Sequence, residues 1–214
     1  MGPMDSRPGP GPCHDAAMLD TAVRRQINPL LDRAAGAAHT RGIAPGAVTW
    51  TGLVVGIGAC VAAGFALWAL ALALWLVNRA LDGLDGAIAR RRGPSDLGGM
   101  LDFLADFVVY GGFVVGVAVA VPDARVACCA LLAAYLLNNV ALLSFASLVE
   151  KRHLAYGDER SLRFTPALTE GTETILAYCA FCLVPAHADV VAWVFCAMVM
   201  VSVVQRVALA RRVL

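Results

Sequence analysis

The chain has 214 residues, 59% of them hydrophobic and 15% charged, and a mean hydropathy of +0.70. A soluble domain of this size carries about a quarter charged residues and still exposes much of its surface, so this composition excludes a water-soluble globule and makes lipid the solvent. The formal net charge of +1 gives no reason to expect a nucleic-acid partner, and the placement of the charges says more than their sum.

Residues 1–14 are rich in Gly and Pro and predict a disordered tail. Met1-Gly2 followed by Ser6 fits the myristoylation pattern, but Pro3 and the Ala/Arg-rich composition speak against it. Over residues 15–40, Met18, Leu19, Val23, Ile27, Leu30 and Leu31 recur at helical spacing with Arg24, Arg25, Asp32 and Arg33 between them. That pattern predicts an amphipathic helix lying on the cytoplasmic membrane surface.

No charged residue occurs between Arg41 and Arg79, a run of 37 residues. One helix of that length would span about 55 Å against a hydrocarbon core of ~30 Å, so the chain must turn, near Gly64. The hydropathy then predicts an all-α integral membrane domain over residues 41–214 with six transmembrane helices, at about 46–65, 68–91, 98–121, 124–149, 166–187 and 189–210. Of the 17 Lys and Arg residues, Arg79 lies inside the second span and Arg125 in a turn. All the others fall in the N-terminal region, the 90–97 loop, the 150–165 loop and the C-terminus. Six spans place those regions on one side, which is the cytoplasm, together with both termini. The Cys179-x-x-Cys182 pair has wholly apolar flanks and no second pair, so its cysteines read as small hydrophobes rather than as a metal or redox site. Asn138 and Asn139 in the fourth span read as hydrogen-bond partners of neighbouring helices.

The chemistry is concentrated in Asp82-Gly-Leu-Asp85-Gly86-Ala-Ile-Ala89-Arg90 and, seven residues later, Gly98-Gly-Met-Leu-Asp102-Phe-Leu-Ala-Asp106. Residues three and four apart share a helix face, so Asp82, Asp85, Gly86 and Ala89 form one stripe and Gly98, Asp102 and Asp106 another. A short loop makes the two helices antiparallel neighbours, and four carboxylates then converge at one depth. Such groups repel one another and are costly in a membrane, and a hard divalent cation, Mg²⁺ or Mn²⁺, resolves the repulsion. The glycines and Ala89 remove side-chain bulk, leaving room for a flat base and a pyrophosphate to approach the backbone. Helix capping accounts for Asp96, but not for Asp102 and Asp106, which lead straight into Phe107-Val-Val.

At these residues the chain resembles the CDP-alcohol phosphotransferase family, whose signature is D-x2-D-G-x2-A-R-x8-G-x3-D-x3-D. Every signature residue from Asp82 to Asp106 is present, with seven residues rather than eight between Arg90 and Gly98. Pro45-Gly-Ala-Val-Thr49 is similar to the P-N-x-x-T found before the first span in many members, with Gly46 in place of Asn. In detail the chain is similar to small bacterial inner-membrane members.

The resemblance implies a six-span, homodimeric enzyme of phospholipid synthesis in the inner membrane with a cytoplasmic active site. It would transfer a phosphatidyl group from a CDP-linked donor such as CDP-diacylglycerol to an alcohol and release CMP. By the same resemblance Asp82, Asp85, Asp102 and Asp106 would hold two Mg²⁺ or Mn²⁺ ions. Thr49, Asp82, Asp85, Gly86, Ala89 and Arg90 would surround the nucleotide, and Asp106 would be the base that deprotonates the acceptor. Lys151, Arg152, Arg160 and Arg163 would meet a phosphate on the acceptor, and Glu170 and Glu173 would line its pocket. Two rival readings are a divalent-cation transporter, which would hold its carboxylates near mid-membrane, and a catalytically silent membrane scaffold, which the complete signature opposes.

Overall fold

A computed structural model of the chain describes residues 33–37, 45–93, 95–152 and 171–214. The tail expected at 1–14 lies outside the described residues, as does most of the amphipathic helix expected at 15–40. Within the latter, residues 33–37 are helical. Ala35 is fully buried there in a small apolar cluster with Val48, Ala87 and Ile88.

Among the described residues every regular element is helical. Helix α1 spans Pro45–Gly64 and opens with a proline, which is tolerated where the backbone N–H has no helical partner. The chain reverses just after Gly64, with Ala66 in the left-handed region at φ 56°. Helix α2 spans Trp68–Arg92 and stops at Gly93, whose φ of 92° suits glycine alone. Helix α3 spans Asp96–Ala120, with the Ser95 hydroxyl accepting from the Gly98 N–H at 3.1 Å. This cap starts the helix at Asp96 rather than at 98.

A turn at Pro122–Ala124 leads into α4, Arg125–Lys151. Helix α5 is described over Gly171–Leu183 and is followed by a turn at Pro185–His187 and by α6, Ala188–Val213. Pro185 explains why α5 ends short of the expected residue 187, since its ring cannot continue a helix.

Helices α1, α3, α4 and α6 are long and apolar enough to cross a membrane. Helix α2 has the length, at 25 residues, but carries Arg79, Asp82, Asp85 and Arg90–Arg92. The described part of α5 is a shorter apolar helix.

Helix α1 packs on α2 and α3, α4 packs on α6, and α5 leans on α2. The first group is close-packed through small residues. A Cβ at Gly56 would lie 2.4 Å from Val109 Cγ2, and one at Gly116 would lie 2.5 Å from the Cys60 carbonyl oxygen. An aromatic knot ties the rest together: Trp75 of α2 stacks on Tyr178 of α5 at 4.5 Å, and Tyr110 and Phe113 of α3 pack around both. Tyr135 of α4 donates or accepts at the Tyr178 hydroxyl, 3.0 Å away, and Phe195 of α6 closes the cluster. The outward surface is apolar instead, with Val54, Phe65, Val126, Leu136 and Val204 all exposed. That inversion suits a lipid solvent.

Candidate active site

The turn from Gly93 to Ser95 sets α2 and α3 antiparallel, and the spacing of the acidic residues does the rest. Asp85 lies seven residues before the end of α2 and Asp102 six residues after the start of α3. At 1.5 Å per residue both therefore sit about 10 Å inside the helix ends. Their depths match. Asp82, Asp85 and Asp102 each offer a carboxylate oxygen, and these three atoms lie within 4.8 Å of one another. Asp85 is buried and the other two are half-buried. Asp106, one turn deeper on α3, borders the same small cleft, as do Thr49 and Gly52 of α1 and Asn78 and Arg79 of α2. The Thr49 hydroxyl hydrogen-bonds the Asp85 carboxylate.

The donor set suits a hard cation. Three carboxylates at this spacing present only oxygen, which Mg²⁺ and Mn²⁺ prefer and which disfavours softer metals. Their mutual repulsion at this depth also needs positive charge beside them.

Gly86 is open on the side it shares with Asp82 and Asp85. Among the described residues, a Cβ there would meet only the Arg90 guanidinium, 3.4 Å away at the end of a flexible side chain. Unlike Gly56 and Gly116, Gly86 has no packing reason to be glycine. Ala89 is half-buried and Arg90 exposed, one turn beyond Gly86.

Of the residues expected around the acceptor, Arg160, Arg163 and Glu170 lie outside the described residues. Lys151 and Arg152 are exposed at the end of α4, where Arg152 donates a hydrogen bond to the Leu214 carbonyl of α6. Glu173 is half-buried on α5, with one carboxylate oxygen buried and without a hydrogen-bond partner among the described residues. Neither Arg152 nor Glu173 borders the aspartate cleft. Cys179 and Cys182 are free thiols.

Sequence reasoning missed the cation at this site. The Arg79 side chain is 8% exposed, and its Nη2 donates to Asp106 Oδ1 at 2.8 Å while Nη1 lies 3.5 Å from Asp82 Oδ2. Arg79 entered the sequence reading only as a charge inside a span. Its place three residues before Asp82, on the same helix face, was the available signal.

The chain is similar to proteins already known. The curated protein "Inner membrane protein YnjF" of Escherichia coli K12 is 37% identical over 173 residues, covering 79% of this chain and 84% of that protein. Crystal structures of the Mycobacterium tuberculosis phosphatidylinositol phosphate synthase PgsA1 share the fold. Its form with CDP-DAG bound superposes with a TM-score of 0.67 at 18% identity, covering 85% of this chain and 94% of that one. Its complex with manganese and citrate gives a TM-score of 0.67 at 19% identity, covering 84% and 88%. Residues 43–204 match the CDP-alcohol phosphatidyltransferase family along their whole length, so the chain belongs to that family and is a membrane transferase of substituted phosphate groups.

Proposed function

We propose that the protein transfers a phosphatidyl group from CDP-diacylglycerol to the hydroxyl of a small alcohol, with release of CMP, in phospholipid synthesis. The observation that carries this reading is the meeting of Asp82, Asp85 and Asp102 within 4.8 Å, beside Asp106 and an unobstructed Gly86. It is supported by the related fold of PgsA1, solved with CDP-DAG and with manganese.

In this reading Asp82, Asp85 and Asp102, with Asp106 beside them, hold Mg²⁺ or Mn²⁺, in keeping with two ions. Bound there, divalent cations would neutralise the donor's phosphoryl oxygens and the charge left on CMP. Thr49, Gly86 and Ala89 form the wall against which the cytidine lies, and Arg90 reaches over Gly86 from the exposed side. Asp106 takes the proton of the acceptor hydroxyl through its carboxylate oxygen. The acceptor oxygen forms a bond to the donor's lipid-bearing phosphorus, the bond from that phosphorus to the CMP oxygen breaks, and CMP leaves with the bonding pair. Arg152, Arg160, Arg163, Glu170 and Glu173 are proposed on the acceptor's side.

The same reading takes all six helices as spans. Helix α2 joins the four apolar ones because its charges cluster toward one end. In this reading the cleft and both termini face the cytoplasm, which the placement of the Lys and Arg residues supports. A homodimer is proposed on the family resemblance.

The test is CMP release from CDP-diacylglycerol by purified protein with Mg²⁺ or Mn²⁺ and a panel of glycerol phosphate, inositol phosphate, serine and amino-alcohols. Metal-dependent CMP release with one of these acceptors is expected. Absence of CMP release with the whole panel, together with Mn²⁺ flux into proteoliposomes, would instead establish the transporter reading.

A further inference from the structure

Among the described residues Arg79 is the one basic side chain that borders the aspartate cleft, and several partners hold it. Nε and Nη2 of Arg79 donate to Asn78 Oδ1 at 3.0 and 2.7 Å, and Nη1 donates to the Tyr110 hydroxyl at 2.7 Å. The guanidinium carbon lies 4.8 Å from the centre of the Trp75 ring and 4.9 Å from that of Tyr110. Its supports are held in turn. Asn78 Nδ2 donates to the Gly52 carbonyl of α1 at 2.8 Å, and the Tyr178 hydroxyl donates to the Tyr110 carbonyl at 2.9 Å. Four helices therefore fix one guanidinium. Its remaining reach goes to the cleft, where Nη2 takes Asp106 Oδ1 at 2.8 Å.

A fixed fork that engages Oδ1 leaves Oδ2 as the carboxylate oxygen it does not hold. We propose that Arg79 is a positioning residue, clamping Asp106 through Oδ1 so that Oδ2 alone is presented to the reacting hydroxyl. The proposal rests on the reading of Asp106 as the acceptor's base. It adds a division of labour: three carboxylates are left to the cations while the fourth is aimed by an arginine. Arg79 also places a permanent positive charge beside Asp82, which opposes a cation there.

These two effects pull measurable quantities in opposite directions. In Arg79→Gln the carboxylate is released, and turnover should fall about 10–100-fold because the base is misplaced. Mn²⁺ should bind more tightly, roughly tenfold, since a unit charge within about 6 Å of a divalent ion has that effect even at the dielectric of water. Arg79→Lys keeps the charge but cannot span Asn78, Tyr110 and Asp106 together, so its Mn²⁺ affinity should stay near wild type while turnover falls. In an Asp106→Asn background either substitution should cost less than about twofold further, because the residue it acts through is already disabled.

The experiment measures Mn²⁺ binding by electron paramagnetic resonance of the free ion, and CMP release with the acceptor panel, for both variants in both backgrounds. Opposite movement of the two quantities in Arg79→Gln, and loss of the effect on turnover in the Asp106→Asn background, are the expected results. Parallel loss of Mn²⁺ binding and turnover in both variants would make Arg79 a structural prop and overturn the proposal. So would unchanged turnover, or an equal loss in the two backgrounds. If the wild type releases no CMP, the functional reading fails by itself. Mn²⁺ binding then decides on Arg79, with unchanged or weaker affinity in Arg79→Gln ending the proposal.

Discussion

Two glycines on the helices that build the cleft should respond to substitution in opposite ways. At Gly56 a Cβ would lie 2.4 Å from Val109 Cγ2 and 2.9 Å from Asn78 Nδ2, so α1 must move by about 1 Å to restore ordinary contact. Overpacking of this kind costs about 1–3 kcal/mol, against which better helix propensity returns up to about 1 kcal/mol. Gly56→Ala should therefore destabilise the protein by about 1–2 kcal/mol, or roughly 2–8 °C in melting temperature for a chain of this size. At Gly86 the only neighbour of a new Cβ among the described residues is Arg90 Nη1 at 3.4 Å, which can swing aside. Gly86→Leu should leave the melting temperature unchanged or raise it. Its side chain would nonetheless fill the space assigned to the nucleotide, lowering donor affinity at least about tenfold. Thermal unfolding in detergent followed by tryptophan fluorescence, with and without CDP-diacylglycerol and Mn²⁺, reads both quantities. If Gly86→Leu melts as low as Gly56→Ala, Gly86 is a packing glycine. If donor protects Gly86→Leu as well as wild type, Gly86 has no part in the nucleotide site.

Asp82→Asn should lose metal-dependent donor binding and turnover together. Asp106→Asn should keep most donor binding while losing roughly 10²–10⁴-fold in turnover, and equal loss of donor binding in the two variants would leave Asp106 without a base role. Chelation with EDTA should abolish CMP release, and Mn²⁺ should restore it without refolding, since the aromatic core that holds the helices includes none of the carboxylates assigned to the metal. A chain that unfolds on chelation would contradict that separation. Cys13 should react with membrane-impermeant thiol reagents only from the cytoplasmic side, and labelling of intact cells would overturn the orientation drawn from the basic loops.

The helices and the acidic cluster were legible because both depend on short-range periodicity. Asp82 and Asp85 share a helix face whatever the helix packs against, and so do Asp102 and Asp106. The short 90–97 loop could join its helices only as a hairpin. The start of α3 needed the Ser95 cap, which a hydropathy pattern does not weigh. The role of Arg79 was not legible for a different reason. Its spacing from Asp82 was visible, but its partners Asp106 and Tyr110 lie on α3, and Trp75 would have been read as a membrane aromatic without them. Which residues close around a side chain depends on how helices rotate against one another, and that is settled by contacts such as Gly56 against Val109.

One face of α2 also carries two kinds of polar residue whose types alone do not separate them. Asn78 and Arg79 sit deeper, packed against aromatic rings, and their polar atoms are bonded within the protein. Asp82 and Asp85 sit one and two turns nearer the loop, beside Gly86, where the helix surface opens. Depth along a single stripe thus divides residues that hold the site from residues that are free to take up a ligand. Asp106 lies at the boundary, bonded by Arg79 through Oδ1 and bordering the cleft.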